Sequence, residues 1–135
     1  MKKATDNLPI VENSNKGLGL RSDATLGPTD VDLDANEIVI LNGHGMSVAP
    51  AWRKLPAFLI PERLISNCGK ARGDNDLFCF TMGTGAFENG VVTDGLYLNK
   101  DKPHHGCIVP SRPMHLTEFE LHIQQTRPQW TVDEE

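Results

Sequence analysis

Residues 105–123 read HGCIVPSRPMHLTEFELHI, and the change of pattern inside them decides the fold class. Gly106, Cys107, Ile108 and Val109 form a short run suited to a strand. Pro110 and Pro113 close it, because proline has no N–H for a ladder. Thr117-Glu118-Phe119-Glu120 then matches the S/T-x-x-E capping box, with Leu116 and Leu121 in the places of a hydrophobic staple. The spacing predicts a helix from Glu118 to about Arg127, where Pro128 stops it. Phe119 and Ile123 share one face of that helix and dock on the sheet. The expected class is α+β: one small domain with a mixed or antiparallel sheet of about five short strands and a C-terminal helix.

Working outward, residues 95–98, 91–92, 77–82 and 37–41 supply the other strands. The run at 37–41 reads as a buried, β-branched strand closed by Asn42-Gly43. Pro50, Pro56 and Pro61 exclude a long helix between Ala49 and Leu64. That stretch is expected to form short turns, with Trp52, Leu55, Phe58, Leu59 and Ile60 covering the core. Residues 69–76 read as a surface loop and Gly83-Thr84-Gly85 as a flexible turn. Residues 1–35 are polar and without period, so they read as a flexible arm, with the domain at 36–135. Within them Asp30-Val31-Asp32-Leu33-Asp34 alternates acid and aliphatic. It lacks the glycine and distal glutamate of a calcium loop.

The chain has 135 residues and a formal net charge of −5, enough for one core and short of the basic patch a broad nucleic-acid surface needs. No run approaches the roughly 20 apolar residues of a membrane span, and MKKATDNLPIVENSN has no apolar signal region. Three cysteines, Cys68, Cys79 and Cys107, form no CxxC pair. They read as buried thiols in a reducing compartment, which places the protein in a cytosol, its own or that of a target cell.

The chain holds five histidines, His44, His104, His105, His115 and His122. None shows the spacing of a zinc hydrolase or deaminase, so no metal is expected. There is no G-x-S-x-G elbow, P-loop or G-x-G-x-x-G after a strand. What remains is a set of polar groups at expected strand ends. His44 stands between Gly43 and Gly45, and glycine lets a backbone come close to a ligand. Tyr97 offers a flat ring and a hydroxyl. His104 and His105 precede the last strand, and Ser111 and Arg112 follow it. Histidine can donate to a ribose hydroxyl or move a proton near neutral pH. Read as structure alone, His44 is a polar turn residue, Tyr97 strand filler, and His104 with His105 a solvated turn.

"GHGMS" at 43–47 and "DGLYL" at 94–98 resemble the ADP-ribosyltransferase superfamily in its histidine–tyrosine branch. "HHGCIVPSRPMHLTEFELHI" at 104–123 is similar to the C-terminal end of small, type VI-secreted toxins of that fold. The resemblance covers about a fifth of the chain. It implies that NAD is the substrate, with His44 on the nicotinamide ribose, Gly45 holding the carboxamide, Ser47 beside them and Tyr97 under the ring. His105 stands where the superfamily carries a glutamate. The acceptor would be a protein, and an immunity protein a partner. Two further readings stand beside this one. In a metal-independent ribonuclease toxin, His44 and His105 are acid and base, with Arg112 or Lys102 on the phosphate. In a non-catalytic interaction module, the N-terminal arm makes the contact.

Overall fold

The computed structural model describes residues 1–83 and 85–135; Thr84, in the expected glycine turn, lies outside the described residues. Among the described residues six short strands occur, β1 (Met46–Val48), β2 (Phe80–Met82), β3 (Gly90–Thr93), β4 (Leu96–Lys102), β5 (His105–Pro110) and β6 (Trp130–Val132), with one α-helix, α1 (Leu116–Gln125). The strand read at 106–109 is β5. It lies between β1 and β4 in a four-stranded antiparallel sheet of order β1-β5-β4-β3. A second sheet pairs β2 with β6. The α+β class is as expected.

Local chemistry sets the turns. Asp94-Gly95 closes the β3–β4 hairpin, with Gly95 at φ 78°. A side chain on Gly95 would also strike the His122 ring of α1 at 2.7 Å. Only glycine satisfies both the turn and the docked helix. Phe119 and Ile123 are buried, as their spacing implies. They pack with Leu96, Ile108, Met114 and Trp130 in the main core.

The helix start differs from expectation. His115 is the N-cap, and its Nδ1 accepts the Thr117 N–H at 3.1 Å. Thr117 lies inside the first turn and its Oγ1 bonds the same nitrogen at 2.9 Å. Leu121 is 52% exposed, so the staple does not form. The Thr117 box matches the pattern, but helical geometry begins one residue before it.

The N-terminal segment is not a loosely attached arm. Leu18 and Leu20 are fully buried and Val31 nearly so, all in the main core. Lys2 bridges to Leu77. Arg127, at the helix end, holds Asp6 with both Nη atoms (2.7 and 2.9 Å) and the Pro9 carbonyl with Nε (2.7 Å). Three scattered aliphatics carry this packing, and a test for period does not register them.

Residues 37–41 are not a regular strand. Glu37 turns at φ 60°, and Val39 bridges to Leu33 and Ile38 to His115. Ile40 and Leu41 are exposed. The acidic run supplies the other side of this small turn. Asp34 Oδ1 accepts the N–H groups of Asn36 and Ile38, while Asp30 and Asp32 hold Arg21 and His44.

Between Ala49 and Leu64 the chain makes three single-turn 3-10 helices, Trp52–Lys54, Ala57–Leu59 and Glu62–Leu64. The prolines do limit this stretch to turns. Trp52, Ile60 and Leu64 form a second buried cluster with Ala71 and Cys79, where one core was expected. Phe58 does not join it and is 54% exposed. No helix among the described residues is long and apolar enough to cross a membrane.

Candidate functional site

Residues directly opposite one another in neighbouring antiparallel strands point to the same face. Gly90, Leu98, Ile108 and Met46 are paired in sequence across all four strands of the main sheet. They form a transverse apolar row on the core side. Opposite them stand Phe80, Met82 and Trp130 of the second sheet. Residues of both sheets line a cavity of about 770 Å³, within the ordinary range of small-molecule sites.

The walls are mixed. Trp52, Phe80 and Phe87 give aromatic surface, and Glu88 and Asp133 are the acidic groups beside it. Arg21 and Asp30 stand together on one wall. The Asp30 carboxylate takes Arg21 Nη2 at 2.9 Å, Nε at 3.3 Å and the Arg21 backbone N–H at 2.7 Å. This fixes the guanidinium, while its Nη1 has no hydrogen bond among the described residues.

The residues singled out in the sequence lie elsewhere. Tyr97 pairs with Val109, and Asn99 with Cys107, which pairs in turn with Ser47. These rows alternate with the core row, so their side chains face away from the cavity. Ser47 borders the cavity through its place on the edge strand, but it stands opposite Cys107 in the outer row.

His44 does not end a strand; it precedes β1. Its Nδ1 lies 3.1 Å from Asp32 Oδ2, which also accepts Asn42 Nδ2 at 2.6 Å. Gly45 lies against β5, where a Cβ would collide with the Ile108 carbonyl oxygen and press Val109. Gly45 and Tyr97 therefore flank β5 at one level, about 10 Å or two strand spacings apart. His105 is four residues along β5 from Val109, about 14 Å away along the strand. Its Nδ1 holds Asp101 Oδ1 at 2.6 Å. The sheet thus brings Gly45 and Tyr97 within reach of one ligand and sets His105 apart.

His44 and His105 each hold a different carboxylate, Asp32 and Asp101. Acid and base on one phosphodiester must both lie within hydrogen-bond reach of it. Arg112 is committed to Glu118 at 2.9 Å, and Lys102 faces His105 across a bulge. Both histidines and the arginine of the ribonuclease reading are thus engaged by carboxylates.

Hydrogen bonds from Asn42 and then His44 hold the Asp32 carboxyl below the usual range, and His105 does the same for Asp101. Burial pushes the Cys107 thiol up, against opposing bonds from the Gly45 backbone and Ser47. Burial, then the nearby Glu134, pushes Cys79 up to about 11. Both are protonated near neutral pH and unsuited to nucleophilic attack. Among the described residues no three His, Cys, Asp or Glu side chains converge as metal ligands.

Sequence reasoning missed Arg21 and Asp30, because they sit in the segment read as an arm. Their one signal is an opposite-charge pair on either side of a polar stretch that contains Gly27-Pro28. Trp52 was read as core cover, and it is both buried and on the cavity wall. Comparisons of the chain with protein-family models, with curated proteins and with solved structures returned no match.

Proposed function

We propose that this protein is an ADP-ribosyltransferase-like toxin or effector whose NAD lies in the cleft between the two sheets. The observation that carries the placement is the cavity of about 770 Å³ with an oriented arginine on its wall. A dinucleotide needs flat apolar surface for its rings and a fixed cation for its pyrophosphate. Trp52 and Phe80 offer the first, and Arg21 Nη1 the second. Carboxylates at Glu88 or Asp133 would face the positive charge that develops on the ribose as the bond to nicotinamide breaks. The acceptor's nucleophile then takes the ADP-ribose. In this placement neither His44 nor Tyr97 touches the ligand.

A second placement keeps NAD on the outer face, over Gly45 and Tyr97. It is favoured by the close approach of Gly45 to β5 and by the shared level of the two residues. Thermal shift with NAD, ADP-ribose and RNA oligonucleotides separates the readings. Stabilisation by NAD that is lost in Arg21→Ala and kept in Tyr97→Ala is expected. Loss in Tyr97→Ala alone selects the outer face. Stabilisation by RNA alone, or by nothing, removes the transferase reading and leaves an RNA-binding or interaction role.

A further inference from the structure

We propose that Asn42 is a site of spontaneous deamidation promoted by the fold, and that its product rewires the His44 cluster. Asn42 is exposed and followed by Gly43. In this reaction the Gly43 backbone nitrogen gives up its proton and attacks Asn42 Cγ. A new C–N bond closes a five-membered succinimide. The Cγ–Nδ2 bond breaks, and the nitrogen leaves as ammonia with the proton it gains. Water then opens the ring to aspartate or isoaspartate. Water is the one co-reactant, and nothing is oxidised or reduced.

Three features of the loop favour this. Gly43 carries no side chain, stands outside the sheet ladder at φ 85°, and its N–H has no hydrogen bond among the described residues. The nucleophile is therefore unhindered and uncommitted. Asn42 Oδ1 accepts the His44 backbone N–H at 3.2 Å. That donor polarises Cγ and steadies the negative oxygen formed on attack. Asn42 Nδ2 donates to Asp32 Oδ2 at 2.6 Å, and the same oxygen lies 3.1 Å from His44 Nδ1. The departing nitrogen is thus held beside groups that exchange protons.

The chain carries an internal control in Asn89-Gly90. Asn89 Oδ1 also accepts a backbone N–H, from Lys100 at 2.7 Å, so the two sites differ in the glycine: Gly90 is fixed within β3 opposite Leu98. A glycine nitrogen held in a ladder is poorly placed to swing onto Cγ.

The product has consequences where it forms. A carboxylate at position 42 loses its donor contact to Asp32 and puts two like charges at that contact. Isoaspartate also lengthens the backbone just before Gly45, which has no spare room against the Ile108 carbonyl. Conversion is a one-way change that loosens the entry to β1 and frees His44 from its present partner.

The test is timed incubation of the full chain at mildly alkaline pH, with peptide mapping by mass spectrometry. Asn42 and Asn89 are followed in one digest, with urea-denatured protein run alongside. The expected result is conversion at Asn42 several-fold faster than at Asn89 in the folded protein. That advantage shrinks in urea, and Asp32→Ala slows Asn42. The Asn42→Gln variant keeps its mass at this peptide and so confirms the site. Equal rates at the two asparagines, earlier conversion of Asn89, a folded rate no higher than the denatured one, or an unchanged rate in Asp32→Ala overturns the proposal.

Discussion

The two faces of the main sheet differ in a way that decides how its chemistry is read. The inner face carries Met46, Leu98 and Ile108 over the cavity. The outer face carries Tyr97, Val109, Asn99, Cys107 and Ser47. Adjacent residues of one strand thus belong to different environments, because side chains alternate at a period of two. Residues that look chemically able, Ser47, Tyr97 and His105, fall on the outer parity. Residues that look like filler fall on the face where a ligand has room. Chemical type selects candidates, and strand parity decides whether they meet.

That contrast can be broken by mutation, and the largest effect is expected at Ile108. It is 4% exposed within the main core, so Ile108→Ala should cost about 2–5 kcal/mol in denaturant melts, as large-to-small core changes do. Val109→Ala, one residue along and on the other face, should cost a small fraction of that. Equal losses would erase the distinction between the faces.

A smaller effect belongs to Thr126, buried beneath the inner side. Its hydroxyl donates to the Ile123 carbonyl at 2.6 Å and accepts the Trp130 indole N–H at 2.9 Å. Thr126→Val strands that indole donor, for a loss of about 1–3 kcal/mol. Thermal unfolding followed by tryptophan fluorescence measures it. An unchanged midpoint would mean that Trp130 is not held by this bond.

Smaller again is the helix start. His115→Ala removes the cap and should cost about 1 kcal/mol, while Thr117→Ala should cost less. The reverse order would restore the capping box read from the sequence.

The smallest effect is a pH limb at the joint between the second sheet and the 3-10 segment. Burial would raise the Glu134 carboxyl, but hydrogen bonds from Arg63 and the Cys79 N–H outweigh it and hold Glu134 below the ordinary range. Arg63 meets it with two nitrogens at 2.6 Å. A lowered folded pKa means that this stability is present above the unfolded carboxylate range. It is lost as pH falls through the folded value. Glu134→Gln should lower the melting temperature at neutral pH and flatten its decline in acid. An unchanged acid limb would show that the pair contributes nothing.

Much of the fold was legible where local chemistry is strong. β5, the buried stripe of Phe119 and Ile123, and the proline-limited turns at 49–64 follow from propensity and spacing. β1 and β6 were not. β1 has three residues beside a glycine turn, and β6 follows a proline, so neither shows an alternating run. The N-terminal packing was hidden for a related reason: Leu18, Leu20 and Val31 are too few to show a period. For the site, a close approach at Gly45 was expected toward a ligand, and in the structure it is toward the backbone of β5. The cleft was not, because it arises where two sheets meet and its arginine comes from a segment with no periodic signal.

The most direct test of the cleft placement is a titration of isotope-labelled protein with NAD, followed by backbone amide NMR shifts. The account predicts that Arg21, Val48, Trp52 and Phe80 move together and saturate at one affinity. Shifts confined to Tyr97, Val109, Cys107 and His105, with the cleft residues unmoved, would contradict it.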